Sequence, residues 1–184
     1  LLRYFQASPS KSTPKTLPEW ASLFRSTDKT RHQKQSLLEL HVSATGCLEA
    51  TCGHVAIQVP GYPHPEGYVS FEMQPIAKPD RFPNFEPILQ GGESKPEIKF
   101  AGLESLEVGT LDDTCPGVSQ TGLVFRFGNK WIQKPYLEKI LAGSKLVSLE
   151  FRGDAEPLNP LFFFGCREAG KTIRGVVMPI RYEA

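Results

Sequence analysis

The sequence predicts an α+β domain with a mostly antiparallel sheet and a few short helices. Among its 184 residues are 16 Gly and 16 Pro, which leave little room for long helices and favour strands joined by loops. Several segments alternate apolar and polar residues with the two-residue period of a half-buried strand. The longest apolar runs, such as residues 161–164 and 176–179, have the length of strands.

The composition is that of a globular protein. Hydrophobic residues make up 40% and charged residues 22%, which excludes a disordered tail and a membrane protein. The net charge of +1 argues against a dedicated nucleic-acid-binding protein. Cys47, Cys52 and His54 have no second Cys/His pair at ligand spacing, and four cysteines are too few for a disulfide scaffold. We therefore expect free thiols in a reducing cytosol, and no metal or cofactor.

Residues 1–36 are predicted to form a basic N-terminal arm with a short helix. The arm holds seven Lys or Arg against two acidic residues, so the remaining domain, residues 37–184, is net acidic. Its helix is predicted by apolar residues at helical spacing: Leu17, Trp20, Leu23 and Phe24. The basic charge suits an acidic partner or a membrane surface. Alternatively, the arm packs Trp20 and Phe24 on the core.

Residues 37–184 read as a single α+β domain. The segments predicted to be strands are residues 38–42, 54–59, 68–73, 103–108, 123–127 and 145–151. Between the last two, Pro135 suits the first turn of a helix and Gly143 suits its end. Residues 161–164 and 172–182 favour a final hairpin, because Gly170 and Gly175 would each cost about 1 kcal/mol inside a helix.

A long irregular excursion is predicted at residues 74–99. Eight prolines lie between Pro60 and Pro96, and proline cannot donate to a sheet ladder. Loops of this length in a compact domain are usually functional. We expect the excursion to cover the mouth of any groove beside His54.

His54 stands at the start of an apolar strand. Strand alternation leaves His54 on one face and sends the β-branched residues of the strand into the core: Val55, Ile57 and Val59. A thiol held opposite such an imidazole gives a nucleophile and its general base. The alternative is a histidine with backbone partners at a strand end.

The segments Gly-His-Val-Ala-Ile-Gln-Val at 53–59 and Tyr-Val-Ser-Phe-Glu at 68–72 resemble a strand pair of circularly permuted papain-fold proteins. These include NlpC-type peptidases, relatives of lecithin:retinol acyltransferase, and bacterial effectors. The resemblance implies a permuted papain-like fold and a cysteine-dependent hydrolase or acyl/amide transferase. Such an enzyme acts on a protein or peptide through a thioester, without a metal. The resemblance also implies a cytoplasmic protein, or a secreted effector that acts in a host cytosol.

Residue by residue, the resemblance implies His54 as the base and Cys166 as the nucleophile. Ser70 or Glu72, on the following strand, would orient the imidazole. In those families the His strand precedes the cysteine, which opens a helix, and Cys166 fits that order. The chain departs from the pattern at Gly165, where the families have Asn.

A second pairing uses Cys47 as the nucleophile. If residues 50–51 form a two-residue hairpin loop, Cys47 lies directly opposite His54, with Cβ atoms about 5 Å apart. The Thr45-Gly46-Cys47 segment also resembles the Ser-Gly-Cys signature of glutamine deamidases of the cytotoxic necrotizing factor type. That resemblance implies a deamidase that uses Cys47 and His54.

A function from a different class stays open. A catalytically silent sheet domain that binds another protein would use residues 74–99 and the N-terminal arm for its contacts. A thiol sulfur near 4 Å from the His54 ring within an open groove favours the enzyme, whereas a separation beyond about 8 Å for every cysteine favours the binding domain. For both classes we expect a protein or peptide partner, no nucleic acid and no integral membrane segment.

Overall fold

The computed structural model describes residues 13–26, 35–77, 81–111, 122–166 and 172–182. These residues form an α+β fold, as the sequence predicts. The helices are α1 (Leu17–Ser22), α2 (Glu86–Gly92) and α3 (Lys134–Leu141). The strands are β1 (Leu40–Val42), β2 (Cys47–Thr51), β3 (Val55–Pro60), β4 (Gly67–Val69), β5 (Pro75–Ile76), β6 (Glu97–Ile98), β7 (Glu107–Leu111), β8 (Gly122–Phe127), β9 (Lys130–Gln133), β10 (Ser148–Arg152), β11 (Leu161–Cys166) and β12 (Ile173–Val177).

Nine of these strands form one large antiparallel sheet. Their order is β5-β4-β1-β2-β3-β12-β11-β10-β6. The predicted final hairpin is confirmed as β11 and β12, and β12 inserts beside β3 with Val177 opposite Val55. Both outer strands, β5 and β6, have only two residues. Such short edges give little backbone on which another chain can pair.

The inner face of the large sheet carries the main core. The predicted alternation of β3 is confirmed, because Val55, Ile57 and Val59 are all buried in this core. Helix α1 also packs here, and Trp20 and Phe24 are both 0% exposed. The Trp20 indole donates a hydrogen bond to the Lys139 carbonyl of α3 at 2.8 Å. The helix of the basic arm is therefore part of the domain.

The outer face carries a second apolar cluster. Phe82, Phe85 and Leu89 pack over side chains of the sheet such as Phe162 and Phe164. The prediction of an irregular excursion at 74–99 is therefore wrong in part, since this stretch contains α2 and two short strands. Pro87 does not break α2 because it lies in the first turn, where its missing N–H has no helical partner. The cluster leaves Ala56 and Gln58 buried rather than facing an open cleft.

A small sheet, β7-β8-β9, lies against the main core. Phe125, Phe127 and Ile132 point into that core. The opposite face carries Trp131, which packs with Ile180 and Tyr182 from the segment after β12. The predicted strand at 103–108 starts later, at Glu107, because residues 103–105 form a 3-10 turn. Strand β9, which the sequence did not predict, runs directly into α3.

Candidate functional site

One row of polar side chains crosses the outer face of the large sheet. It holds one residue from each of four adjacent strands: His41, Glu49, Gln58 and Arg174. Glu49 and Gln58 are only 7% and 3% exposed. Buried polar groups of this kind need hydrogen-bond partners, and the row supplies them from strand to strand.

Each member of the row bonds its neighbour. The Glu49 carboxylate accepts from Nε2 of Gln58 at 2.9 Å and lies 3.0 Å from Nδ1 of His41. Arg174 donates to the amide oxygen of Gln58. The His41 ring stacks on Phe82, with 4.5 Å between centroids and an interplanar angle of 5°. The histidine is thus held between a carboxylate and an aromatic ring.

Helix α2 is bonded to the row through Glu86. Both carboxylate oxygens accept from Arg174, at 2.8 and 2.9 Å, and one accepts from Gln58 at 3.0 Å. Partial burial raises the pKa of Glu86, but these hydrogen bonds and the Arg174 charge outweigh it, so the pKa lies below its ordinary value. Arg174 also donates to Glu93, one residue beyond α2, at 3.3 Å.

Cys47 is the thiol nearest in register to His41. The two lie on the same face at diagonal positions of β1 and β2, which places their Cα atoms about 7–8 Å apart. The Cys47 sulfur accepts from the Thr45 hydroxyl at 3.7 Å. Among the described residues, no group of three His, Cys, Asp or Glu is arranged to hold a metal ion. The hydrogen bonds of the row join four strands and α2.

His54 lies in the turn between β2 and β3. Its side chain is exposed, and its ring stacks on Tyr136 of α3 with 5.5 Å between centroids. Its carbonyl accepts from the Met178 N–H at 2.9 Å. The turn forms here because Gly53 adopts φ of +90°, and the Thr51 hydroxyl accepts the Gly53 N–H at 3.0 Å.

The prediction that Cys47 lies opposite His54 is wrong. The hairpin turns at residues 53–54, so Cys47 pairs with Pro60 at the far end of the two strands. His54 is six residues from Pro60, a separation of about 20 Å along the strand. Residues 50–51 continue the strands because Gly53, rather than Thr51, readily takes the positive φ that the turn requires.

The structure does not bring Cys166 and His54 together either. Cys166 is the exposed last residue of β11, whereas the resemblance implies a helix N-terminus. Leu161 lies level with Val55 through β12, and Cys166 is five residues farther along in the direction away from His54. This register again gives a separation of about 20 Å along the strands.

Ser70 and Glu72 are not on a strand beside β3. They lie in the turn after β4, where the Ser70 hydroxyl donates to the Glu72 carboxylate at 3.0 Å. In the sheet, β1 and β2 lie between β4 and β3. That order places three strand spacings, about 14 Å, between β4 and β3. The prediction that they neighbour His54 is therefore wrong. Cys115 falls outside the described residues.

The edge of the small sheet offers a different kind of site. Among the described residues β7 pairs only with β8, and its five residues make it longer than either edge strand of the large sheet. Glu107, Val108 and Thr110 are exposed, with Val108 at 41%. Tyr182 is the described residue that bonds this edge, accepting the Thr110 N–H at 3.2 Å through its hydroxyl.

A buried lysine supports the opposite side of the small sheet. Lys130 is 0% exposed, and its ammonium donates to Asp154 at 3.3 Å and to the Glu156 carbonyl. Hydrogen bonds from Lys95, Asn159 and Lys130 hold the pKa of Asp154 well below its usual range. These bonds fix β9 to the loop between β10 and β11.

Comparison with protein-family models, with curated proteins and with solved structures finds no match to this chain. The permuted papain-like fold and the thiol chemistry thus stay predictions from sequence. Among the described residues, no helix combines the length and the apolar character needed to cross a membrane.

Sequence reasoning missed the polar row and the β7 edge. The row had a visible signal, because His41, Glu49 and Gln58 are the polar members of alternating apolar segments. Their alignment depends on strand register. The hairpin loop predicted at residues 50–51 gives a different register from the observed one. Nothing in the sequence of β7 distinguishes an edge strand from a central one.

Proposed function

We propose that this chain is a protein-binding domain that pairs through β7 with a strand of another protein molecule. The observation that carries the proposal is the contrast between sheet edges. The large sheet ends in strands of two residues, and β9, the other edge of the small sheet, is bridged through Trp131 to Ile180, whereas β7 has five residues. Strand addition to an exposed edge is a common mode of peptide recognition, in which main-chain hydrogen bonds supply the affinity.

The positions of the predicted catalytic residues also support binding over thiol chemistry. Both predicted partners of His54, Cys47 and Cys166, lie about 20 Å from it along the strands, because each is at the opposite end of the sheet. A general base must come within hydrogen-bond reach of the proton that it takes. Neither of these two thiols therefore lies within such reach of His54.

The backbone of Val108 provides the test of the binding edge. Thr110 donates away from β8, to Tyr182, so by alternation the N–H of Val108 also points outward. A Val108→Pro substitution removes that donor without removing a β7–β8 hydrogen bond. Val108→Thr keeps the donor and the branched shape, and is the matched control.

A phage-displayed library of random peptides should yield sequences that bind the wild-type domain. We expect the selected peptides to bind the Val108→Thr variant with wild-type affinity. They should not bind the Val108→Pro variant. Circular dichroism melts check that both variants are folded. Peptides that bind folded Val108→Pro with wild-type affinity would exclude β7 as the binding edge.

A further inference from the structure

We infer that the strand accepted by β7 is β7 of a second copy of this chain, in a two-fold dimer with its axis at Val108. The inference rests on the proposed function and names its partner. Two small sheets joined in this way form one continuous six-stranded sheet. In a two-fold dimer the same patch meets itself, so the edge must be complementary to its own reverse.

The backbone of β7 meets that requirement. Residues of an antiparallel strand alternate in the direction of their N–H and C=O groups. The outward N–H of Thr110 therefore fixes Val108 as outward-pointing too. With the axis at Val108, the two Val108 residues face each other and exchange both N–H···O=C bonds.

The side chains are compatible with the same register. Val108 is one of the exposed large hydrophobic residues, at 41%, and it would pack against its own copy as a β-branched cross-strand pair. Glu107 would face Gly109 of the second copy rather than another Glu107. Two like charges directly opposite would destabilise the pair, and this register avoids them.

Glu107 is already neutralised within its own chain. Its carboxylate accepts from Arg126 of β8 at 2.9 Å. The acidic charge at the edge is thus paired, so it does not repel an approaching second copy as an isolated Glu would.

Tyr182 competes for part of this edge. Its ring lies over Gly109, where an added Cβ would come within 2.6 Å of the ring, and its hydroxyl accepts the Thr110 N–H. In the dimer that N–H faces the Leu106 carbonyl of the second copy. The Tyr182 hydroxyl therefore weakens the dimer, and its removal frees a donor on each side of the axis.

Sedimentation equilibrium over a wide range of protein concentration tests the dimer with charge-swapped variants. Wild type should show a monomer–dimer equilibrium. Val108→Lys and Val108→Glu each place like charges at the axis, and each should weaken dimerisation by about tenfold or more. An equimolar mixture of the two should form a heterodimer, because opposite charges then meet. Tyr182→Phe should dimerise more strongly than wild type.

The mixed sample distinguishes the inference from a nonspecific effect of charge. A mixture that stays monomeric while wild type dimerises places the axis elsewhere and overturns the inference. A wild-type chain that is monomeric at every concentration also overturns it. In that case, selected peptides that depend on the Val108 N–H would still support strand addition to β7. Peptide binding unaffected by Val108→Pro would instead reject the proposed function.

Discussion

Arg174 and Glu86 join the strand near the middle of the large sheet to the helix on its outer face. The guanidinium donates to both carboxylate oxygens, at 2.8 and 2.9 Å. Arg174 also bonds Gln58 and Glu93. The Arg174 side chain thus connects β12, β3 and both ends of α2. The strength of its ion pair with Glu86 depends on the ionisation of Glu86.

The pH dependence of stability follows from this pair. The folded-state pKa of Glu86 is lowered, so its contribution is present above the unfolded-state pKa and is lost as pH falls through the folded-state value. Because the pair is partly exposed, we expect only about 1 kcal/mol to be lost between about pH 6 and pH 3. Urea unfolding of wild type and Glu86→Gln across this pH range measures this loss of unfolding free energy. Arg174→Gln should reduce the acid dependence as well, and parallel profiles for wild type and Glu86→Gln would contradict the assignment.

The buried Lys130 predicts an asymmetry between the two members of its ion pair. Asp154→Ala leaves a fully buried ammonium without a carboxylate, whereas Lys130→Met replaces the ammonium by an apolar side chain of similar length. Removing one partner of a buried pair is usually more costly than replacing the charge by a packed apolar group. Asp154→Ala should therefore lower the Tm more than Lys130→Met. Lys95→Ala, which removes a more exposed partner of Asp154, is the control. A larger loss for Lys130→Met would contradict this account.

Two adjacent glycines of α2 should respond in opposite ways to alanine. A Cβ on Gly91 meets nothing within 4 Å, whereas a Cβ on Gly92 would overlap the ring of Phe162. Gly91→Ala should raise the free energy of unfolding by about 0.5–1 kcal/mol through helix propensity. Gly92→Ala should lower it by about 1–3 kcal/mol through overpacking. Urea denaturation of the two variants measures both, and equal effects would mean that α2 does not pack on Phe162.

Thiol labelling tests the catalytic hypothesis directly. Of the described cysteines, Cys166 is exposed, while Cys47 and Cys52 are half-buried. Brief substoichiometric iodoacetamide should therefore modify Cys166 before those two, as mapped by mass spectrometry. Since His54 lies about 20 Å away along the strands, His54→Ala should leave the pattern unchanged. Loss of Cys166 labelling in that variant would support the hypothesis that His54 activates Cys166 as a nucleophile.

The fold class was within reach of the sequence because it depends on local periodicity. The inner-face alternation of Val55, Ile57 and Val59 is visible in the chain, and so is the helix after Gln133. The candidate site could not be predicted from the sequence, because it depends on the register of the strands. A turn displaced from residues 50–51 to 53–54 separates Cys47 from His54 and aligns Glu49 with Gln58 instead. The local sequence predicts the observed turn only through Gly53, the residue that readily takes a positive φ.

The place of β12 in the large sheet has a consequence for how the chain folds during its synthesis. Arg174 pairs with Gln58 across more than a hundred intervening residues, and β12 separates β3 from β11. Until residues 173–177 leave the ribosome, the earlier strands can form only two incomplete sheets, each with a long unpaired apolar border. Non-local pairing of this kind slows folding and exposes nascent chains to aggregation. The large sheet is therefore expected to close only after residues 173–177 have been synthesised.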